Sequence, residues 1–155
     1  QVKRIAEHFG QDILRYRDMA CDPEVMRNLQ SDTPASLSAN DFAFHKRNLA
    51  EFKTDTEAYH QLIADLVSLQ ILSTRLVING SVVKRIFVDG GFSHNNVFMQ
   101  LLANGFPEME VYAASMAQAT ALGAALSVHS EWNSTPIPTD LIELRYFSSG
   151  QMFRK

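Results

Sequence analysis

The chain has 155 residues, enough for one domain with a core of its own. Hydrophobic residues make up 46% and charged residues 20%, a globular balance rather than a disordered one. The formal net charge of −3 argues against a nucleic-acid binder that relies on bulk positive charge. No apolar run approaches the roughly 18 residues of a membrane span, so no membrane partner is expected. The N-terminal stretch has no signal-peptide core. One cysteine, Cys21, cannot form an internal disulfide, which points to a reducing cytoplasm. The chain opens on Gln1 rather than methionine, which reads as a fragment or a processed product.

In chain order, Val2, Ile5, Ala6 and Phe9 share one face and predict a short helix stopped by Gly10. Asp12–Met19 is expected as a strand. Cys21–Asn40, with Pro23, Pro34 and several Ser and Asp residues, is expected as loop with a helical turn at Glu24–Leu29. Thr54–Asn79 is the strongest helix. Thr54 and Glu57 have capping-box spacing, and Tyr59, Leu62, Ile63 and Leu66 recur at helical intervals. Asn79-Gly80 would end it with a left-handed glycine. A hairpin, "TRLVI" and "VVKRIFV" about that Asn-Gly, fits the same residues. The helix is preferred because its period already runs for several turns.

Lys84–Val88 reads as a strand buried on both faces. Asn95–Asn104 is helical, and Gly105-Phe106-Pro107 breaks it. Met109–Ala113 is a second strand. Ser115 and Gln118 form another capping box, opening a helix from Met116 to Ser130. Its Ala and Gly residues at 117–125 would let it approach a neighbour closely. Pro136 and Pro138 mark an extended stop, and Asp140–Phe147 forms a last short element. Alternation of strands and helices gives an α/β fold with a sheet at least partly parallel.

The stretch of chemical interest is "VDGGFSHNN", Val88 to Asn96. In such folds ligands sit beyond the carboxyl ends of strands. Glycine lets a backbone amide approach a phosphate with no Cβ in the way, and a following helix start adds unpaired N–H groups. Asn95 can both donate and accept, which suits a ribose or a base edge. A plain tight turn explains the same residues. Neither G-x-x-x-x-G-K-[ST] nor G-x-G-x-x-G is present.

Other polar residues have bland readings. The five histidines, His8, His45, His60, His94 and His129, show no ligand spacing. His94 reads as a solvated helix-start residue, although it lies near enough to touch a phosphate. Cys21 reads as structural. Met99, Met109 and Met116 read as core filler. Lys46-Arg47 and the Arg15, Arg17 pair read as solvated surface. Asp65 and Gln70 fit either a brace behind the site or a solvated face.

The longer stretch "VKRIFVDGGFSHNNVFMQLLANGFPEMEVYAASMAQATALGAAL" resembles the C-terminal domain of FGGY-family carbohydrate kinases, and "AYHQLIADLVSLQ" before it extends the likeness over Thr54–Leu126. The wording is nearest to the rhamnulokinase and fuculokinase branch. The resemblance implies an actin-like, sugar-kinase (ribonuclease H-like) ATPase domain, here the C-terminal lobe, with a mixed sheet flanked by helices. It divides the chain into a lead-in segment, 1–53, open to truncation, and a nucleotide-side domain, 54–155. It implies ATP with Mg²⁺ as cofactors and a sugar, a ketose, as co-substrate. Gly90 and Gly91 would form the phosphate turn, with the Gly91 amide on the α-phosphate and a backbone there that valine resists. Ser93 belongs to the same nucleotide-binding turn. Asn95 would meet the nucleoside. Asp89 would hold the turn or a Mg²⁺-bound water. Ala121–Ala125 would pack the helix behind the site. The family's general base, an aspartate, and its first phosphate hairpin belong to the N-terminal lobe, and neither has a match in this chain. The chain is therefore expected to be inactive alone. The alternative is a non-catalytic actin-like nucleotide-binding or regulatory module.

Overall fold

The structure is a computed structural model, and it describes residues 1–30, 42–114, 119–137 and 141–149. Helix α1, Val2–Phe9, ends at Gly10, whose φ of 63° is left-handed. Its buried Ile5 and Ala6 are the expected core face. The strand expected at Asp12–Met19 is instead a 3-10 turn, Ile13–Tyr16. Asp12 decides this locally, because its carboxylate accepts the Leu14 N–H at 2.9 Å and folds the backbone back on itself. A short helix α2, Pro23–Arg27, follows, with the Asp22 side chain capping Glu24 and Val25. Two more 3-10 turns, Ala43–Lys46 and Leu49–Glu51, bring Phe44 and Leu49 into the core.

Helix α3, Asp55–Ile78, is the axis of the molecule. Thr54 Oγ1 accepts the Glu57 N–H at 3.1 Å, while the Glu57 carboxylate reaches back to the Lys53 N–H at 2.7 Å. The reciprocal bond thus lands one residue earlier than in the standard box. At the other end the Asn79 N–H bonds Arg75 O, and Gly80 has φ 73°. The hairpin reading fails, since Arg75–Ile78 is helical. By length and composition α3 is long and apolar enough to cross a membrane, which a search for uninterrupted apolar runs does not register. Its first half is packed instead into the core, against Ile5, Phe44, Val97 and Leu102, and it carries Asp55 and Asp65 in ion pairs.

The sheet has three strands in the order β1 (Arg85–Val88), β2 (Glu110–Ala114), β3 (Leu144–Phe147). β1 and β2 are parallel, with Arg85 opposite Glu110 and Val88 opposite Ala113. β3 is antiparallel, placing Arg145 opposite Ala113 and Phe147 opposite Val111. The sheet is thus mixed. Helix α4, Asn96–Gly105, crosses from β1 to β2 and packs on α3. Gly105 ends this helix as its last residue. It also permits the α3 contact, because a Cβ there would lie 2.3 Å from Ile71 Cδ1.

Two burial expectations fail. β1 is not buried on both faces. It is a sheet edge among the described residues, and Phe87 is 55% exposed on the face away from α4. Across the three strands Phe87 instead stacks on Tyr112 at 5.4 Å between centroids, and Tyr112 meets Tyr146 at 5.3 Å with the rings tilted by 46°. The helix expected from Met116 to Ser130 is α5, Ala119–Ser127, followed by α6, His129–Trp132. Val128 interrupts it with φ −115° and ψ 12°. Ala121, Gly123, Ala124 and Ala125 are exposed rather than packed behind the turn. Small side chains permit close packing but bury too little apolar area to drive it. The Ser115–Gln118 capping box, Met116 and Asp140 lie outside the described residues.

Candidate functional site

β1 delivers the chain into the turn at Asp89. Gly90 takes φ 76° and ψ −157°, a region open essentially to glycine. Its N–H donates to Asp89 Oδ1 at 2.7 Å. Its carbonyl oxygen accepts both the Ser93 N–H at 3.1 Å and the Ser93 hydroxyl at 2.8 Å. A 3-10 turn, Gly91–His94, results, with Ser93 buried and His94 exposed. The glycine that the conformation demands is Gly90. Gly91 has no positive φ, so the expected backbone resistance to valine is misplaced by one residue. Beyond its chain neighbours, no atom of the described residues lies within 4 Å of a Cβ built at either glycine. The N–H groups of Gly91 and Phe92 have no acceptor among the described residues. They are exposed, at the carboxyl end of a parallel strand.

Asn95 is the N-cap of α4. Its Oδ1 accepts the Phe98 N–H at 2.9 Å, its Nδ2 donates to the Tyr59 hydroxyl at 2.7 Å, and its own N–H bonds Phe92 O at 3.1 Å. Both ends of the side-chain amide therefore serve the fold. One N–H and one lone pair remain for any ligand.

A cavity of about 360 Å³ opens beside the turn, between Ser93, His94 and Asn96 on one side and Ala113 and Ala114 at the end of β2 on the other. Arg145 lines it, with Nη2 3.5 Å from the Ser93 carbonyl oxygen and its guanidinium 4.7 Å from the Phe147 centroid. Asp18 and Glu143 add carboxylates. Arg145 escaped the sequence reading. The signal that finds it is strand register, because only antiparallel pairing with β2 carries it to this end of the sheet.

Behind the turn, the start of α3 is densely bonded. Arg15 Nε meets Asp55 at 2.7 Å, and Arg47 grips Asp65 through Nε and Nη2 at 2.6 and 2.8 Å. Asp65 also accepts from Gln61 Nε2 at 2.8 Å, and Gln61 in turn bonds both backbone groups of Gln30. Arg47 is therefore not the solvated surface expected of it, whereas the Arg15 side chain is 49% exposed, as expected, while pairing with Asp55. Asp65 braces the lead-in segment, with no bond to the glycine turn. Gln70 is exposed and bonds Thr74, the solvated alternative. His60 is fully buried, accepting the Asp22 N–H at 3.0 Å and donating from Nδ1 to Thr56 O at 2.8 Å. Burial pushes its pKa below the usual histidine value, partly opposed by the Thr56 carbonyl. Tyr59 is raised by burial and lowered by the Asn95 bond, with burial the larger. Tyr16, stacked on Tyr59 at 5.1 Å, turns its buried hydroxyl toward Asp55 without reaching full hydrogen-bond geometry to any group among the described residues. Its pKa is raised by burial first and then by the charge of Asp55. Cys21 is raised to about 11 by burial and by Asp22, an inert thiol. Among the described residues no group of three or more His, Cys, Asp or Glu side chains could hold a metal ion.

The model of the FGGY family of carbohydrate kinases, C-terminal domain, matches residues 44–128, more than half of the chain. The chain belongs to this family. FGGY kinases are ATP-dependent, and the matched stretch contains α3, β1, the glycine turn, α4, β2 and α5. It begins inside the lead-in segment and stops before β3, so Arg145 lies outside it. No curated protein and no solved structure matches the chain.

Proposed function

We propose that this FGGY domain is the ATP-side lobe of a carbohydrate kinase, which transfers the γ-phosphate to a ketose hydroxyl only when joined to the family's N-terminal domain. One observation carries the reading. The glycine turn leaves the Gly91 and Phe92 amides without an acceptor among the described residues, at the carboxyl end of a parallel strand, with open space at the Gly91 Cβ position. Such donors suit phosphate oxygens, and they need no reorganisation when charge develops. Gly91 would serve the α-phosphate. Gly90 and Ser93 would hold the turn rigid. Asn95 would reach the nucleoside only through its remaining N–H or lone pair, so its main part is to fix the turn.

The residues present fit phosphates better than a bare metal ion. Mg²⁺ usually keeps several waters and binds through one or two carboxylates plus substrate phosphates. Asp89, exposed and bonded among the described residues only to the adjacent Gly90 N–H, suits a water-mediated contact of that kind. Mg·ATP would supply the transferable phosphoryl group and part of its charge neutralisation. The chain's share is to orient it and exclude water from one side.

The test joins this chain to its N-terminal domain and follows ADP release against a panel of ketoses, rhamnulose and fuculose included. Sugar-dependent turnover is expected from the joined protein and none from the 155-residue chain alone. Turnover by the chain alone would overturn the one-lobe reading. ADP binding without turnover on any sugar would favour a regulatory module.

A further inference from the structure

We infer that Tyr59 is a positioning residue for the nucleotide turn, acting through Asn95. The inference rests on the reading of that turn as a phosphate site. Asn95 is the joint between the turn and α4. Its N–H closes the 3-10 turn on Phe92 O, and its Oδ1 caps the helix at Phe98 N–H. The direction in which the Gly91 and Phe92 amides point depends on both bonds.

Serine or aspartate would cap a helix as well as asparagine does. What asparagine adds is an N–H donor on the far side of the cap. That donor goes to the Tyr59 hydroxyl at 2.7 Å, across 36 positions of sequence. The assignment of oxygen and nitrogen is fixed by chemistry, since the Phe98 N–H can only donate. The anchor itself is immobile. Tyr59 is 4% exposed, stands on the first turns of α3, and stacks on Tyr16 with 29° between the rings. The same helix start is held by the Thr54 cap and the Arg15–Asp55 pair. No second donor reaches the Tyr59 oxygen among the described residues, so Asn95 alone uses it as an acceptor there. The turn is thus tied sideways to the best-bonded part of the fold.

Tyr59→Phe keeps the ring and the stack and removes only the oxygen. Asn95 Nδ2 then loses its fixed partner, and the turn samples orientations that do not meet a phosphate. The experiment titrates Mg·ADP by calorimetry into the joined two-domain protein, with the melting temperature measured on each preparation. The variants are Tyr59→Phe, Asn95→Ala, the double variant and Gly91→Val. Tyr59→Phe is expected to weaken ADP binding about 3- to 10-fold, in keeping with one lost hydrogen bond. The double variant should bind no more weakly than Asn95→Ala, because both changes break one link. A merely structural tyrosine would lower the melting temperature, leave the dissociation constant alone and show no such coupling. An unchanged constant in Tyr59→Phe beside a large loss in Gly91→Val overturns the positioning role and leaves the phosphate turn standing. Additive losses overturn it too. An ADP affinity indifferent to both Tyr59→Phe and Gly91→Val removes the phosphate turn and this inference together.

Discussion

The start of α3 and the glycine turn sit side by side and are built on opposite principles. At the helix start, Asp55, His60, Gln61 and Asp65 are buried, and each has a partner. In the turn, by contrast, the Gly91 and Phe92 amides are exposed and have no protein acceptor among the described residues. A buried polar group must be satisfied by the fold, whereas an exposed one is free to be satisfied by a ligand. The first region should therefore respond to mutation in stability, and the second in binding.

The harshest way to break that comparison is Asp65→Ala. It strands the Arg47 guanidinium, whose side chain is 11% exposed, without its main carboxylate. A loss of about 3–5 kcal/mol is expected in urea unfolding, as for other broken buried pairs. A loss below about 1 kcal/mol would mean the pair is solvated after all. Gly105→Ala tests the packing between α3 and α4. Its Cβ meets the end of Ile71, a half-buried side chain that must turn aside, and about 1 kcal/mol should be lost. Ile71→Ala in the same chain should recover part of that loss, and failure to do so would place the strain elsewhere.

The glycines sharpen the contrast within the turn itself. Gly90→Ala should cost about 1–3 kcal/mol, because of its backbone conformation. Gly91→Ala should change stability by about 0.5 kcal/mol or less, since its Cβ meets open space and its φ is not positive. Equal losses of melting temperature in the two would erase the distinction.

Acidification probes the helix start more gently. His60 has a folded pKa below the ordinary histidine value of 6.5, so the unfolded chain binds the proton first. Its contribution is complete above pH 6.5 and is lost as pH falls through the depressed folded pKa. The melting temperature should fall on acidification below that point, and a rise there would contradict the burial account. Cys21 tests burial through reactivity rather than stability. With a pKa of about 11 against 9.0, it should alkylate at pH 8 about 100-fold more slowly than the same thiol in the unfolded chain.

Much of this architecture was legible in the sequence, for local reasons. The α3 period, the Thr54 cap, the strand before Asp89 and the helix after Asn95 are short-range patterns, and the structure has them all. The three-dimensional partnerships were not legible. Nothing near Arg47 announces Asp65, and nothing near Tyr59 announces Asn95, because these pairs are made by packing rather than by spacing. Asp12–Met19 misled because Ile13 and Leu14 among charges suggested a strand, while one carboxylate bond made it a turn. The two glycines looked equivalent in sequence. Only backbone geometry separates Gly90, which the turn requires, from Gly91, whose amide the turn leaves open.

The most direct test follows the backbone amides of the isotope-labelled chain by nuclear magnetic resonance during titration with Mg·ADP. Binding to this lobe alone is expected at about the millimolar level, roughly −4 kcal/mol. The largest shifts should fall on the Gly91 and Phe92 amides, with smaller ones at Ser93 and Asn95, and Asp65 and His60 should stay still. Shifts that avoid Gly91 and Phe92 at saturating nucleotide would contradict the phosphate turn.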